Sequence, residues 1–143
     1  ALSRIIGLNS IVSRDKNKIL YSTSVNKSAS LRFLDRETGI TKEVGIKTFV
    51  DKCVWDESEE NTTYCAIPRN LTLRNLPDNW YKGIASFSDD IWRINLETNE
   101  AELVMELTEN IDVVNMKINE TGDYLAFLNK KDMTLWGIDL SLD

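Results

Sequence analysis

The sequence predicts an all-β fold assembled from repeated antiparallel sheets, and three observations carry that expectation. First, one stretch is written three times without a gap: residues 12–21 (VSRDKNKILY), 55–64 (WDESEENTTY) and 118–127 (INETGDYLAF). Each copy has an apolar residue, a polar turn and a run that ends in an aromatic. Second, each copy is followed by another shared stretch: residues 31–39 (LRFLDRETG), 91–99 (IWRINLETN) and 135–143 (LWGIDLSLD). Third, strand cores such as 19–21 (ILY) and 124–127 (YLAF) are apolar on both faces. A sheet with one wet face alternates instead, so these sheets are expected to lie between two others. Four-stranded sheets packed face to face around an axis form a β-propeller. The copies recur after 43 and 63 residues, a spacing that fits propeller blades with one insert, and the 3.6-residue period of a helical solenoid is absent.

Taken in order, residues 2–6 read as a strand ended by Gly7, and residues 9–12 as the next. A polar turn at 13–17 leads to a strand rich in β-formers at 18–23. Small polar residues at 25–30 read as a loop. Residues 31–34 form a strand closed by a tight turn, where Gly39 is available for positive φ, and 41–46 form the fourth. The second unit is expected at 50–55, 62–67, 91–95 and 101–107. The third supplies strands at 111–118, 124–129 and 134–139. Residues 97–110 have helical composition but sit where the repeat demands a turn and a strand, so no helix is expected. The whole chain, 1–143, reads as one domain with repeats at about 8–46, 50–107 and 111–143, and an insert at 68–88.

Length and composition agree with this. At 143 residues the chain can bury a core, and 42% apolar with 28% charged residues is ordinary for a globular protein. No run reaches the roughly 20 apolar residues of a membrane helix. The chain begins with Ala rather than Met, so it is expected to be processed or trimmed. The net charge of −6 argues against nucleic acid as a partner, because phosphate binding needs a concentrated basic face. The charge is uneven: residues 1–50 hold nine Lys and Arg against four Asp and Glu, and residues 51–143 hold eight against nineteen. Either this is solvated surface, or one end of the chain meets the other. The absence of His removes the usual Ser–His and Cys–His pairs and the commonest metal ligand. Two thiols cannot close a structural zinc site, and no cofactor is expected.

The run Ser13–Ser22 (SRDKNKILYS) resembles the turn-and-strand signature of TolB-like propeller repeats, usually Ser-Pro-Asp-Gly-Lys before an apolar strand. Residues 91–99 and 135–140 are similar to that family's strand end, Ile-Tyr-x-x-Asp-Leu-x-Thr-Gly. The signature Pro is missing from all three copies, and the turn Gly survives only as Gly122, with Lys16 and Glu59 in its place. No Trp-Asp ending of the WD-repeat kind and no Asp-box of the sialidase kind is present. The resemblance implies a six-bladed propeller, often extracytoplasmic and often a scaffold for protein contacts; propellers also serve as enzymes and as gating domains of peptidases.

Residues that bear chemistry are few. Asp56, Glu57, Glu59 and Glu60 suggest a hard-cation site, but the run lacks the alternating ligands and Gly of a calcium loop and reads as a solvated turn. Asp89 and Asp90 could pair as acid and base, but an Asp-Asp at a strand start reads as a turn cap. Asn61, Asn70 and Asn119 head glycosylation-type triplets, read as structural. Trp92 and Trp136 occupy matching positions, filled by Arg32 in the first unit, and read as sheet packing. Cys53 and Cys65 face each other if Trp55 and Thr63 close the hairpin, so a disulfide and an extracytoplasmic location are expected; two buried thiols are the alternative.

The insert is what the repeat leaves unexplained. From Tyr64 to Ile91 is 27 positions, against 10 from Tyr21 to Leu31 and 8 from Phe127 to Leu135. Such loops are commonly functional. Arg69, Arg74, Trp80 and Tyr81 suit a surface for a protein, peptide or glycan, although the two aromatics could equally fold back as cover. Consecutive antiparallel strands place this insert on the same face as residues 45–49 and 109–110. A non-enzymatic binding scaffold is therefore expected; a carboxylate-using hydrolase or the propeller of a larger peptidase is the other reading. Finally, three blades are too few to close, since propellers use about four to eight. The expected architecture is three four-stranded blades making half of a six-bladed ring. Strand 2–6 would latch beside residues 134–139 of a second copy in a homodimer, or the chain would be part of a longer propeller.

Overall fold

The computed structural model describes residues 9–13, 16–25, 28–46, 48, 50–69, 88–107 and 110–141. They form β1 (Asn9–Val12), β2 (Lys18–Val25), β3 (Ser28–Asp35) and β4 (Thr41–Glu43), then β5 (Cys53–Trp55), β6 (Thr62–Pro68), β7 (Asp89–Asn95) and β8 (Glu100–Met105). The last three are β9 (Val113–Ile118), β10 (Tyr124–Asn129) and β11 (Thr134–Asp139). Each group is a meander: sheet 1 has the order β1-β2-β3-β4, sheet 2 β5-β6-β7-β8 and sheet 3 β9-β10-β11, all antiparallel. Among the described residues sheet 3 has the three strands expected of the third repeat, the fourth having been expected from residues 2–6 of a second copy. The latch segment, residues 2–6, lies outside the described residues.

Two local expectations need correction. Of the loop expected at 25–30, Val25 and residues 28–30 are strand instead: β2 and β3 run on until Val25 pairs with Ser28. Ladder hydrogen bonds join backbone groups, so small polar side chains do not end a hairpin whose register is already fixed. Residues 50–55 are only half strand. A 3-10 turn over Val50–Lys52 precedes β5. A turn this short leaves no periodic signature in a sequence.

Burial shows why the sheets stack. In β6, at the heart of sheet 2, every residue is buried except Ile67, which is intermediate. Its two faces feed two cores. One joins Leu20, Leu31 and Phe33 of sheet 1 to Cys53, Trp55, Cys65 and Ile94 of sheet 2, with Trp92 packed against it. The other joins Tyr64, Ala66 and Ile91 of sheet 2 to Val113, Leu125, Phe127 and Ile138 of sheet 3, with Trp136 packed against it. The matching tryptophans thus do matching work: each packs its sheet onto the sheet before it. In β10 burial alternates, with Leu125, Phe127 and Asn129 buried and Tyr124 exposed, as expected for a strand covered on one face. The hairpin register sets Cys53 opposite Cys65 and Trp55 opposite Thr63, and the two cysteines are joined in a disulfide across a Cα–Cα distance of 4.1 Å.

The repeated turns impose a backbone requirement that the sequence meets unevenly. Gly122 has φ 76° in the third copy, and Lys16 holds the matching place in the first at φ 62°. In the second copy the positive φ moves to Asn61, at 58°. A Cβ on Gly122 would lie 2.3 Å from Ser58 Oγ and 2.8 Å from Asp56 Oδ1, so this turn also presses against the β5–β6 turn of the neighbouring sheet. Gly39, at φ 71°, has open space around it. Gly39→Ala is therefore expected to cost about 1 kcal/mol, the conformational penalty alone. Gly122→Ala should cost more, about 2 kcal/mol or above, because contact is added to strain. Equal midpoints for the two variants in urea would contradict this account of the turn.

Candidate functional site

Three features converge on the face that carries the insert: the loop between β4 and β5, the end of the insert at β7, and the loop between β8 and β9. The 3-10 turn aims Lys52 inward. Its ammonium donates to Asp89 Oδ2 at 2.5 Å, Asp112 Oδ1 at 2.6 Å and the Val113 carbonyl at 3.0 Å. All three charged side chains are fully buried, at 0% exposure for Lys52, Asp89 and Asp112 alike. Asp89 Oδ2 also accepts the Val113 N–H at 2.8 Å, and the Asp89 N–H donates to the Ile111 carbonyl. Asp112 is held from the other side: its N–H donates to Asn129 Oδ1 at 3.1 Å, and its carbonyl accepts the Lys130 N–H. One cation thus ties the root of sheet 2 to the start of β7 and the root of sheet 3. Asp89 Oδ1 is buried without a hydrogen-bond partner. Burial is the largest influence on the Asp89 carboxyl and pushes its pKa up; the Lys52 charge and hydrogen bond oppose that.

Beside this cluster stands the first foot of the insert. Arg69 holds Asp90 through two guanidinium nitrogens, Nε at 3.0 and 3.1 Å and Nη2 at 2.8 Å, and it also donates to the Leu107 carbonyl. Its N–H donates to the Ser88 carbonyl, where the insert returns. Ser88 Oγ meets Asn110 Oδ1 at 3.2 Å, and Leu107 N–H donates to Asp90. Hydrogen bonding from Arg69 holds the Asp90 carboxyl below its ordinary pKa. Both feet of the insert are therefore fastened to residues 107–113.

Of the residues singled out in the sequence, Arg69 belongs to this arrangement, and Arg74, Trp80 and Tyr81 lie outside the described residues. Asn110 joins the same face, Gly45 sits beside Asn99 of the β7–β8 turn, and Phe49 and Glu109 lie outside the described residues. Asp89 and Asp90 are not a pair: adjacent strand residues point to opposite faces, one to Lys52 and the other to Arg69. Asp56 is buried and accepts Ser58 N–H and Oγ within its turn, while Glu57, Glu59 and Glu60 are exposed. They line a cleft of about 340 Å³ with Trp55 and Lys18, on the far side from the insert. No group of carboxylates able to hold a metal occurs among the described residues. Asn61 and Asn119 side chains bond within or beside their turns, to Glu97 and to Thr121 and Asp123. The Lys52 cluster was missed in the sequence, because its members lie 37 and 60 positions apart. The usable signal was a charged Asp51-Lys52 pair inside an apolar run.

No family model matches the sequence, and no curated protein matches it. In structure the chain is similar to TolB from Acinetobacter baumannii, at 11% identity and a TM-score of 0.66, covering 96% of this chain and 31% of that one. It is similar to a putative TolB from Agrobacterium tumefaciens, at 11% identity and 0.65, covering 96% and 47%. It is also similar to an oligogalacturonate lyase from Vibrio parahaemolyticus, at 14% identity and 0.58, covering 97% and 38%. The chain therefore has the TolB-like β-propeller fold that its repeats pointed to. It spans about a third to a half of the length of these proteins. Since an enzyme shares the fold, the fold does not choose a function.

Removing one partner of a buried ion cluster leaves charge uncompensated, so Lys52→Ala is expected to cost about 3–5 kcal/mol. Adding Asp89→Asn and Asp112→Asn should recover most of it. The two neighbouring carboxyls should have opposite pH signatures. The pKa of Asp89 is raised, so its contribution is complete below the ordinary value of 3.8 and is lost as pH rises through the raised value. Asp89→Asn should gain on the wild type over that rise. The pKa of Asp90 is lowered, so its contribution is present above 3.8 and is lost as pH falls through the depressed value. Asp90→Asn should flatten that acid limb. Chemical denaturation from pH 2 to 8 reads both, and identical pH profiles for the two variants would contradict the assignment.

Proposed function

We propose that this protein is a non-enzymatic β-propeller scaffold that binds a protein, peptide or glycan through the face carrying the insert, with Arg69, Arg74, Trp80 and Tyr81 at its centre. The observation that supports this most is the fastening of both feet of the insert. Arg69, Ser88, Asp89 and Asp90 are all bound to residues 107–113 or to each other, over a buried ionic cluster. A loop presented on a rigid base loses less entropy on binding than a free one, and recognition residues commonly sit on such loops. Asp89 and Asp90 support a positioning role for the same reason: each is engaged by a cation of the protein itself. The Cys53–Cys65 disulfide favours an oxidising compartment, periplasmic or secreted.

The second reading, an enzyme, has the lyase likeness in its favour. On that reading Asp89→Asn with Asp90→Asn should abolish turnover of a substrate. On the scaffold reading, deletion of residues 69–83 should abolish partner capture in a pull-down. Alanine at Trp80 and Tyr81 should weaken it by about thirtyfold or more while leaving the melting temperature unchanged. A large drop in melting temperature would instead make the two aromatics part of the core.

We also propose that the three sheets are half of a six-bladed ring, completed by a second copy or by further blades of a longer chain. Three sheets are too few to close, as propellers use about four to eight. The 143-residue protein at micromolar concentration should scatter light as a dimer if a second copy completes the ring; a stable monomer would leave only the longer-chain form.

A further inference from the structure

We propose that Lys52 and Asp112 are the precursors of an intramolecular isopeptide bond, an amide between the lysine Nζ and the aspartate Cγ, which the protein forms by itself with Asp89 as the catalytic proton carrier. The reactants already touch. Lys52 Nζ lies 2.6 Å from Asp112 Oδ1 and 2.5 Å from Asp89 Oδ2, and the Val113 carbonyl holds it from a third side at 3.0 Å. Contact at that range leaves the nitrogen about 3.5 Å from the carboxyl carbon, within a near-attack separation. All three charged side chains are closed to solvent. Val50, Ile111 and Val113, close to them in the chain, are buried as well. The ionic cluster is the state from which the bond forms.

In water an amine and a carboxyl remain a pair of ions, because hydration favours charge and water reverses the condensation. Burial changes both conditions. It disfavours the charged forms. A fixed neighbour reacts as if present at roughly 10⁵–10⁸ M, and a site closed to solvent protects the amide from hydrolysis. The cluster holds one cation and two carboxylates, so one carboxylate is left to move protons while the other reacts. Asp89 suits that task. Its Oδ2 touches the amine, its Oδ1 is buried without a hydrogen-bond partner, and burial pushes its pKa up. The step balances without a co-reactant. Two of the three ammonium protons pass by way of Asp89 to one Asp112 oxygen, and the third stays on the nitrogen. The nitrogen lone pair makes the bond to Cγ, the C–O bond breaks, and that oxygen leaves as water. One positive and one negative charge disappear, and Asp89 ends as it began.

The repeat does not demand these three residues. One copy earlier, the places of Lys52, Asp89 and Asp112 hold Asn9, Ala29 and Phe49. Sheets 1 and 2 therefore pack together with neither a cation nor a carboxylate at those places, so stacking alone does not account for the trio. Lys52 directly precedes β5 and Asp112 directly precedes β9. A bond between them welds the root of sheet 2 to the root of sheet 3, across 60 positions of chain. It stands next to the Cys53–Cys65 disulfide, which ties β5 to β6. Unlike the disulfide, an amide withstands reductants.

Mass spectrometry of the 143-residue protein, folded and incubated at neutral pH and then reduced and denatured, tests this. The wild type should be lighter than its sequence by one water. Trypsin should fail to cut after Lys52 and should release a branched peptide that joins Lys52 to Asp112. Lys52→Arg and Asp112→Ala should each keep the full mass. Asp89→Asn, which retains both reactants, should lose the water about a hundredfold more slowly or worse. Amide exchange shows whether each variant folds, and the wild-type mass and peptide map decide the proposal without any variant. A folded wild type that keeps its full mass after prolonged incubation would overturn it. So would a water loss confined to one unbranched peptide, as in cyclisation of a single Asp or Asn. A branch through residue 89 would overturn the choice of Asp112, and a folded Asp89→Asn that reacts at the wild-type rate would overturn the role of Asp89.

Discussion

A strand that is apolar on both faces needs a sheet on either side of it, and the rest of this structure follows from that requirement. β6 meets it in full: its two faces feed two separate cores, one toward sheet 1 and one toward sheet 3. Sheet 3 meets it on one side. The alternating burial of β10 and the exposure of Leu135 and Tyr124 mark where the stack is open. Burial of apolar area is non-directional, so it selects stacking without choosing a register. Direction comes from the hairpins, and from turns whose left-handed residues match in the first and third copies, at Lys16 and Gly122, and move to Asn61 in the second.

The polar cluster around Lys52 supplies what apolar packing cannot. Buried charge is costly, and such a cluster is poor evidence for stability in itself. Its value is positional: an ammonium with two carboxylates and a carbonyl within 3.0 Å admits few alternative arrangements of the three segments that bring them. Those segments are the roots of sheets 2 and 3 and the end of the insert. The geometry of the candidate binding face is therefore set by the same contacts that set the junction between sheets.

Much of the fold was legible in the sequence because its signals are local and repeated. The three ungapped copies gave the turns, and the two-faced strands gave the stacking. The position of the closing pair Trp55 and Thr63 was enough to set Cys53 against Cys65. What failed was also physical. Residues 25–30 looked like a loop because side-chain composition does not report a ladder made by backbone groups. Lys52 looked like part of a strand because a single 3-10 turn has no period, and its partners come from segments far along the chain. Of the candidate site, Arg69 was legible as a charge at the start of the insert; its attachment to Asp90 and Leu107 was not, since β7 and the loop after β8 become neighbours only once the sheet is formed.

The central claim is that sheets of this kind are stable where both faces are covered. Amide hydrogen exchange, followed strand by strand in dilute solution, tests it most directly, because exchange reports the free energy of opening each element. The account predicts that β6 amides, covered on both faces, exchange more slowly than those of β10 and β11, covered on one. Exchange of β10 and β11 as slow as that of β6 would contradict it.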